Sequence, residues 1–197
     1  MTYKVAILAS TRGTDLQAIL DEMAACELEN VEISGVYSNV KDCGALEKAK
    51  MAGVKAVFVD PDGKSREEFD KELASQVGDV DLVCSIGYMR ILSPSFIKKY
   101  AGKIINVHPA LLPKYGGKGF YGKNVHEAVI KNGDKESGMT IHYVTDDVDG
   151  GAILIQKKVA VAEGETPETL KEKVQALEKK YYPEAIRLLS QNKRNLI

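Results

Sequence analysis

A chain of 197 residues, 44% of them hydrophobic, carries enough apolar side chain for one substantial core and is short for two ordinary domains. Lys plus Arg (27) nearly balance Asp plus Glu (28), which argues against a positive field for nucleic acid and favours small-molecule partners. Cys26, Cys43 and Cys84 are odd in number and form no CxxC pattern, and the opening apolar run is too short for a bilayer and lacks a signal-peptide pattern, so the expectation is a single-domain cytoplasmic protein without structural zinc or disulfides.

Residues 4–8 form a buried-strand candidate, followed by the loop Ala9-Ser10-Thr11-Arg12-Gly13-Thr14 and by Leu16, Ile19, Leu20 and Met23 at helical spacing. Residues 31–37 predict a second strand, 42–52 a helix closed by Gly53, and 54–59 a third strand. After the turn Asp60-Pro61-Asp62-Gly63, Ser65 with Glu68 predicts a capping box for a helix whose apolar stripe is Phe69, Leu73 and Val77. Strands are expected over 80–86 and 104–107, with a short helix over 93–100 between them. This strand-helix rhythm predicts an α/β fold: a mainly parallel, doubly wound sheet with right-handed crossovers and helices on both faces.

The later part departs from that rhythm. A glycine-rich loop over 116–122 leads to a helix around 125–131. Strands over 139–144 and 152–161 then flank the acidic turn Asp146-Asp147-Val148-Asp149-Gly150-Gly151 and read as an antiparallel pair. Pro167 and the stripe Leu170, Val174, Leu177 and Tyr181 predict a long C-terminal helix, interrupted or kinked near Pro183.

Chemistry concentrates where the fifth strand ends. Asn106 and His108 stand one pleat apart on the same side of a strand, and Pro109 stops the ladder, leaving an amide and an imidazole at the carboxyl end, where open α/β sheets bind ligands. The loop before the first helix offers Arg12, Gly13 and Thr14 to a phosphate, and is equally readable as an ordinary turn with Thr14 as helix cap. Its single glycine disfavours a dinucleotide cofactor. Asp146, Asp147 and Asp149 beside two glycines suit a solvated hairpin turn or a close backbone approach to a ligand better than a metal. His126 and His142 read as packing residues or as supports behind the site, and Met89, Ile91 and Leu92 as core or as an apolar pocket wall.

Asn106-Val107-His108-Pro109 with Leu111-Leu112-Pro113, the run Gly87-Tyr88-Met89-Arg90-Ile91-Leu92-Ser93-Pro94, and Asp149-Gly150-Gly151 resemble the glycinamide ribonucleotide formyltransferase family. The resemblance extends in the same order from Leu16-Gln17-Ala18-Ile19 to Gln175, Glu178 and Pro183. The Asn-x-His segment and distal Asp also mark methionyl-tRNA formyltransferases and formyltetrahydrofolate hydrolases; the proline after His108 and the short chain point to the glycinamide ribonucleotide branch. The resemblance implies a Rossmann-like formyltransferase domain over 1–197, with a phosphate-binding half (1–100) and a catalytic and folate-binding half (101–197).

It further implies formyl transfer from 10-formyltetrahydrofolate, as co-substrate and without metal, to the amine of 5′-phosphoribosylglycinamide. Nucleic acid and membrane would play no part, and the working form would be a monomer or homodimer. Matching positions make Asn106, His108 and Asp149 catalytic, with Asp149 expected to raise the pKa of His108. They assign Arg12, Gly13, Thr14, Asp15, Gln175 and Glu178 to the phosphate-bearing substrate, and Arg66, Met89, Arg90, Ile91, Leu92, Asp146 and Asp147 to the folate. Asp15 stands where the family usually has Asn, and Ala110 replaces a common Ser. A hydrolase using the same three residues, and a noncatalytic nucleotide-binding module, are the alternatives.

Overall fold

Seven strands form one sheet in the computed structural model, which describes residues 2–194. In chain order the elements are β1 (Tyr3–Leu8), α1 (Thr14–Ala24), β2 (Val31–Ser38), α2 (Gly44–Met51), β3 (Ala56–Phe58), α3 (Arg66–Val77) and β4 (Leu82–Ser85). There follow α4 (Pro94–Lys99), β5 (Ile104–His108), α5 (Lys123–Lys131), β6 (Glu136–Tyr143), β7 (Ile153–Ala160) and α6 (Pro167–Arg194). The strand order is β3-β2-β1-β4-β5-β6-β7. The first five strands pair in parallel, while β6 and β7 add antiparallel, as the change of rhythm in the sequence predicts.

β1 shows why helices must cover both faces. Val5 and Ile7 join a core with Leu16 and Ile19 of α1, Leu46 of α2 and Leu170 and Val174 of α6. Ala6 and Leu8 point the other way, into a core with Phe69 and Leu73 of α3 and Phe96 of α4. A continuous apolar run is therefore split by the pleat between two cores, which is what a strand buried on both sides requires.

Several elements differ from expectation at their ends. β3 keeps only three ladder residues at the sheet edge. Val54 instead closes α2 through its N–H to the Ala49 carbonyl, and Val59 bonds the Ser38 carbonyl beyond the strand. β6 starts at Glu136, three residues early, because β7 supplies partners out to Ala160. α6 runs through Pro183 without interruption. Proline costs one backbone bond there, but the fully buried Tyr182, Ala185 and Ile186 anchor the helix on either side of it.

The predicted capping box is present: Glu68 N–H donates to Ser65 Oγ at 3.3 Å, and Ser65 N–H to Glu68 Oε2 at 2.9 Å. Substituting Ser65→Ala removes the acceptor and should lower unfolding stability by about 1 kcal/mol; urea denaturation with an unchanged m-value is the measurement, and a midpoint equal to the parent's would show the cap to be idle.

Candidate active site

The site is built around β5, which pairs in parallel with β4 (Ser85 beside Asn106) and antiparallel with β6 (Asn106 opposite His142, His108 opposite Thr140). Cross-strand partners in an antiparallel pair share a face, so Asn106 and His142 meet: Nδ2 and Nε2 lie 3.2 Å apart. His142 Nδ1 is 2.9 Å from the Tyr143 carbonyl and must donate to it, which leaves Nε2 as acceptor for the Asn106 amide. That bond sets the orientation of the amide and leaves its second N–H free.

The turn between β6 and β7 carries Asp149 back over the strand end. Its Oδ2 lies 3.5 Å from His108 Nδ1 and its Oδ1 lies 3.5 Å from His142 Nε2, while Gly117 N–H donates to Oδ2 at 2.9 Å. Asp149 adopts a left-handed backbone (φ 59°), held by these contacts. A side chain at Gly151 is impossible, since its Cβ would fall 1.8 Å from the Tyr143 carbonyl oxygen. Gly151 therefore serves a close approach to the Tyr143 backbone, while Gly150 leaves room for the Asp147 side chain.

His108 Nε2 donates to the Tyr115 carbonyl at 2.6 Å. Burial pushes its pKa down and outweighs the Asp149 charge and the Tyr115 bond, which push it up. Asp149 does raise the imidazole's proton affinity, as the resemblance implies, but desolvation of a ring only 4% exposed wins. His108 therefore rests neutral near pH 7, with its proton on Nε2. Burial pushes the Asp149 carboxyl up, yet the His142 and His108 rings, when protonated on the nitrogens that face it, together with the Gly117 N–H, hold it net below the usual carboxylate value.

These groups open onto a cleft of about 930 Å³. On one side Arg12, Thr14 and Asp15 line it at the start of α1, facing Gln175, Glu178 and Lys171 of α6. Gly13 lies behind this wall as the N-cap of α1, with φ 69° and no room for a Cβ against Ala45. Thr14 is thus the first helical residue and not the cap. On the other side lie Met89, Arg90, Ile91 and Leu92, with Arg66 and Asp146. Met89 and Ile91 are half exposed, whereas Leu92 is also buried in the α3/α4 core, and Arg90 stacks 4.3 Å from the Phe69 ring. Asp147 does not line the cleft; its carboxylate sits over Gly150 in its own turn. The two sides are tied together: Ser10 N–H bonds the Gly87 carbonyl and Met89 N–H bonds Ser10 Oγ, both at 3.0 Å.

Burial also perturbs the acids beside α1. It pushes Asp15 up to about 6 against the opposing charge of Lys179, and Glu178 up to about 8, with the Asp15 charge adding and Lys171 and Lys179 opposing. His126, whose Nδ1 has no partner among the described residues, lines the cleft and is pushed down to about 4, by burial first and then by Lys171 and His108. Lys171 and the cleft-facing position of His126 were not legible in the sequence: the first is one of many helix lysines, and the second depends on how α5 docks on α6. Among the described residues no group of three His, Cys, Asp or Glu side chains converges to hold a metal, and no helix is long and apolar enough to cross a membrane.

Comparison with known proteins fits this geometry. The formyl transferase family matches residues 3–186. The phosphoribosylglycinamide formyltransferase of Escherichia coli (strain K12) is 38% identical over 184 residues, covering 91% of this chain and 83% of that protein. Its counterpart in Haemophilus influenzae is 37% identical over 198 residues, covering 98% and 90%. The crystal structure of glycinamide ribonucleotide transformylase 1 from Symbiobacterium toebii superimposes with a TM-score of 0.89 at 38% identity, over 97% of this chain and 89% of that one. With the family match running from β1 into α6 and the fold superimposing over nearly the whole chain, the chain belongs to the phosphoribosylglycinamide formyltransferases of the formyl transferase family.

Proposed function

We propose that this protein moves the formyl group of 10-formyltetrahydrofolate to the amine of 5′-phosphoribosylglycinamide, a step of de novo purine synthesis. The observation that carries the reading is the meeting of Asn106, His108 and Asp149 in one cleft that is wide enough for two ligands and open to both α1 and the 87–92 segment. Residues 1–197 act as one formyltransferase unit, cytoplasmic, as a monomer or homodimer, with no nucleic-acid partner.

Phosphate binds where Arg12, Thr14 and the free N–H groups of α1 face the cleft, with Gln175 across from them. The pterin of the folate lies against residues 89–92 and the backbone of the 145–149 turn, and Arg66 at the exposed rim meets its glutamate tail. The two substrates then approach each other at the end of β5. The amine is its own nucleophile, so no covalent enzyme intermediate is needed. Cys84, whose thiol burial pushes up, stays a packing residue.

As the amine adds to the formyl carbon, negative charge gathers on the formyl oxygen. The free N–H of Asn106 donates to that oxygen. His108 Nε2–H exchanges the Tyr115 carbonyl for it, so the oxyanion takes over a donor already aimed. Developing negative charge raises the proton affinity of His108; the proton shed by the attacking nitrogen passes by way of Asp149 to Nδ1, and the Asp149 carboxylate stabilises the imidazolium so formed. That proton is then available to the departing folate nitrogen. A His108 neutral at rest serves this sequence, because it acquires its proton only when the intermediate is present.

The decisive assay incubates the protein with 10-formyltetrahydrofolate, with and without phosphoribosylglycinamide. Turnover that requires the amine is expected; formate release without it would identify a hydrolase, and no turnover a binding module. Replacing His108 with Ala should lower kcat by at least ~10²-fold while substrate Kd stays within a few-fold; near-normal turnover would remove His108 from the mechanism. Asp149→Asn deletes a charge that raises the His108 pKa, so an NMR titration of the His108 ring should give a lower pKa than in the parent. A pKa unchanged or higher would uncouple the two residues.

A further inference from the structure

Two carboxyl groups in the cleft have no part in the chemistry above. Asp15, on the first turn of α1, and Glu178, on the inward stripe of α6, both line the cleft and are 8% and 7% exposed. Asp15 Oδ1 is buried and has no hydrogen-bond partner among the described residues. An unpaired carboxyl oxygen in such a position costs free energy unless a ligand or proton satisfies it. The α6 side is rigidly held: Tyr182, one turn beyond Glu178, is fully buried and donates to the carbonyls of Ser85 and Ile105.

We propose that Asp15 and Glu178 work as one proton-holding pair that discharges the substrate's ammonium group. This rests on the reading of phosphoribosylglycinamide as substrate. An α-amine of that kind titrates at roughly 8, so it arrives charged at pH 7, yet only the neutral amine can attack a formyl carbon. Before binding, the pair holds one proton and one negative charge. On binding, the proton held on Glu178 leaves for solvent, an N–H bond of the ammonium breaks, and its proton passes to the Glu178 carboxylate oxygen so vacated, where the Asp15 charge keeps it. The net change is a charged amine in, a neutral amine bound, and one proton released.

The surroundings support one retained proton. Glu178 feels burial and the Asp15 charge in one direction and Lys171 and Lys179 in the other; Asp15 feels burial against Lys179. The resulting values, about 8 and about 6, bracket neutral pH. Asp15 also bears on the Tyr182 hydroxyl, which burial keeps protonated. Of the other groups on the cleft, Arg12 is exposed on the loop before α1, His126 of α5 rests neutral, and His108 stands at the end of β5. Asp15 is a positioning residue in this scheme: it keeps a proton on Glu178, and Glu178 meets the amine.

The test is calorimetric titration of the whole protein with phosphoribosylglycinamide alone at pH 7, in two buffers of different ionisation enthalpy. Release of close to one proton per substrate bound is expected, declining towards zero as the pH passes the amine's own pKa. In Asp15→Asn, Glu178 loses the charge that raises its pKa, ionises, and holds the ammonium as an ion pair. Release should then fall by at least half, with kcat reduced about tenfold or more and KM unchanged or lower. Glu178→Gln should abolish release and raise KM, which keeps the question open to test should Asp15→Asn misfold. Proton release equal to the parent's in either variant would overturn the pair. Absence of any binding heat in the parent would instead overturn the substrate assignment.

Discussion

The structure depends on β5 being paired in two senses at once. Its parallel bonds to β4 place its carboxyl end beside the loops that follow β1 and β4, and its antiparallel bonds to β6 bring in a hairpin whose turn folds back over that end. A wholly parallel sheet would have sent a helix across in place of that turn, since parallel strands need a crossover. Asp149 would then have no route to His108. The same register fixes His142 opposite Asn106, so the orientation of that amide is a property of strand pairing rather than of side-chain choice alone.

Burial governs the electrostatics of the cleft more than any single ion pair does. His108, His126, Asp15 and Glu178 are all moved first by desolvation, each towards its neutral form. Asp149 is the exception, because two rings and a backbone N–H compensate its partial burial. The end of β5 thus keeps one carboxylate ionised, Asp149, beside the neutral His108 ring. An enzyme that must take up a dianionic phosphate, a charged amine and a folate together gains from such a site: substrate and intermediate supply the charge, and the preformed donors respond to it.

Much of this was legible in residue order. Largely apolar runs within 4–8 and 80–86 announced β1 and β4, Ser65 and Glu68 announced the start of α3, and Pro109 marked the end of the strand bearing Asn106 and His108. Where expectation and structure part, long-range contacts decide. β3 is trimmed because it lies at the edge, β6 is lengthened by its partner β7, and Pro183 is absorbed because buried neighbours hold α6 together. Asp147 turns into its own loop while Asp149, two residues on, reaches the histidines, a distinction that three aspartates within four residues cannot carry.

By itself the sequence determined the α/β class, the order of elements and the small set of groups able to do chemistry, because strand and helix periodicity, caps and turn residues are local properties. Only the tertiary structure decided that the imidazole of His108 rests neutral, that His142 holds the Asn106 amide, and that Asp15 and Glu178 are buried in one cleft, close enough for the charge of one to bear on the other. Each of these depends on desolvation or on register between segments 30 or more residues apart, and both quantities come into being when the sheet closes and α6 docks.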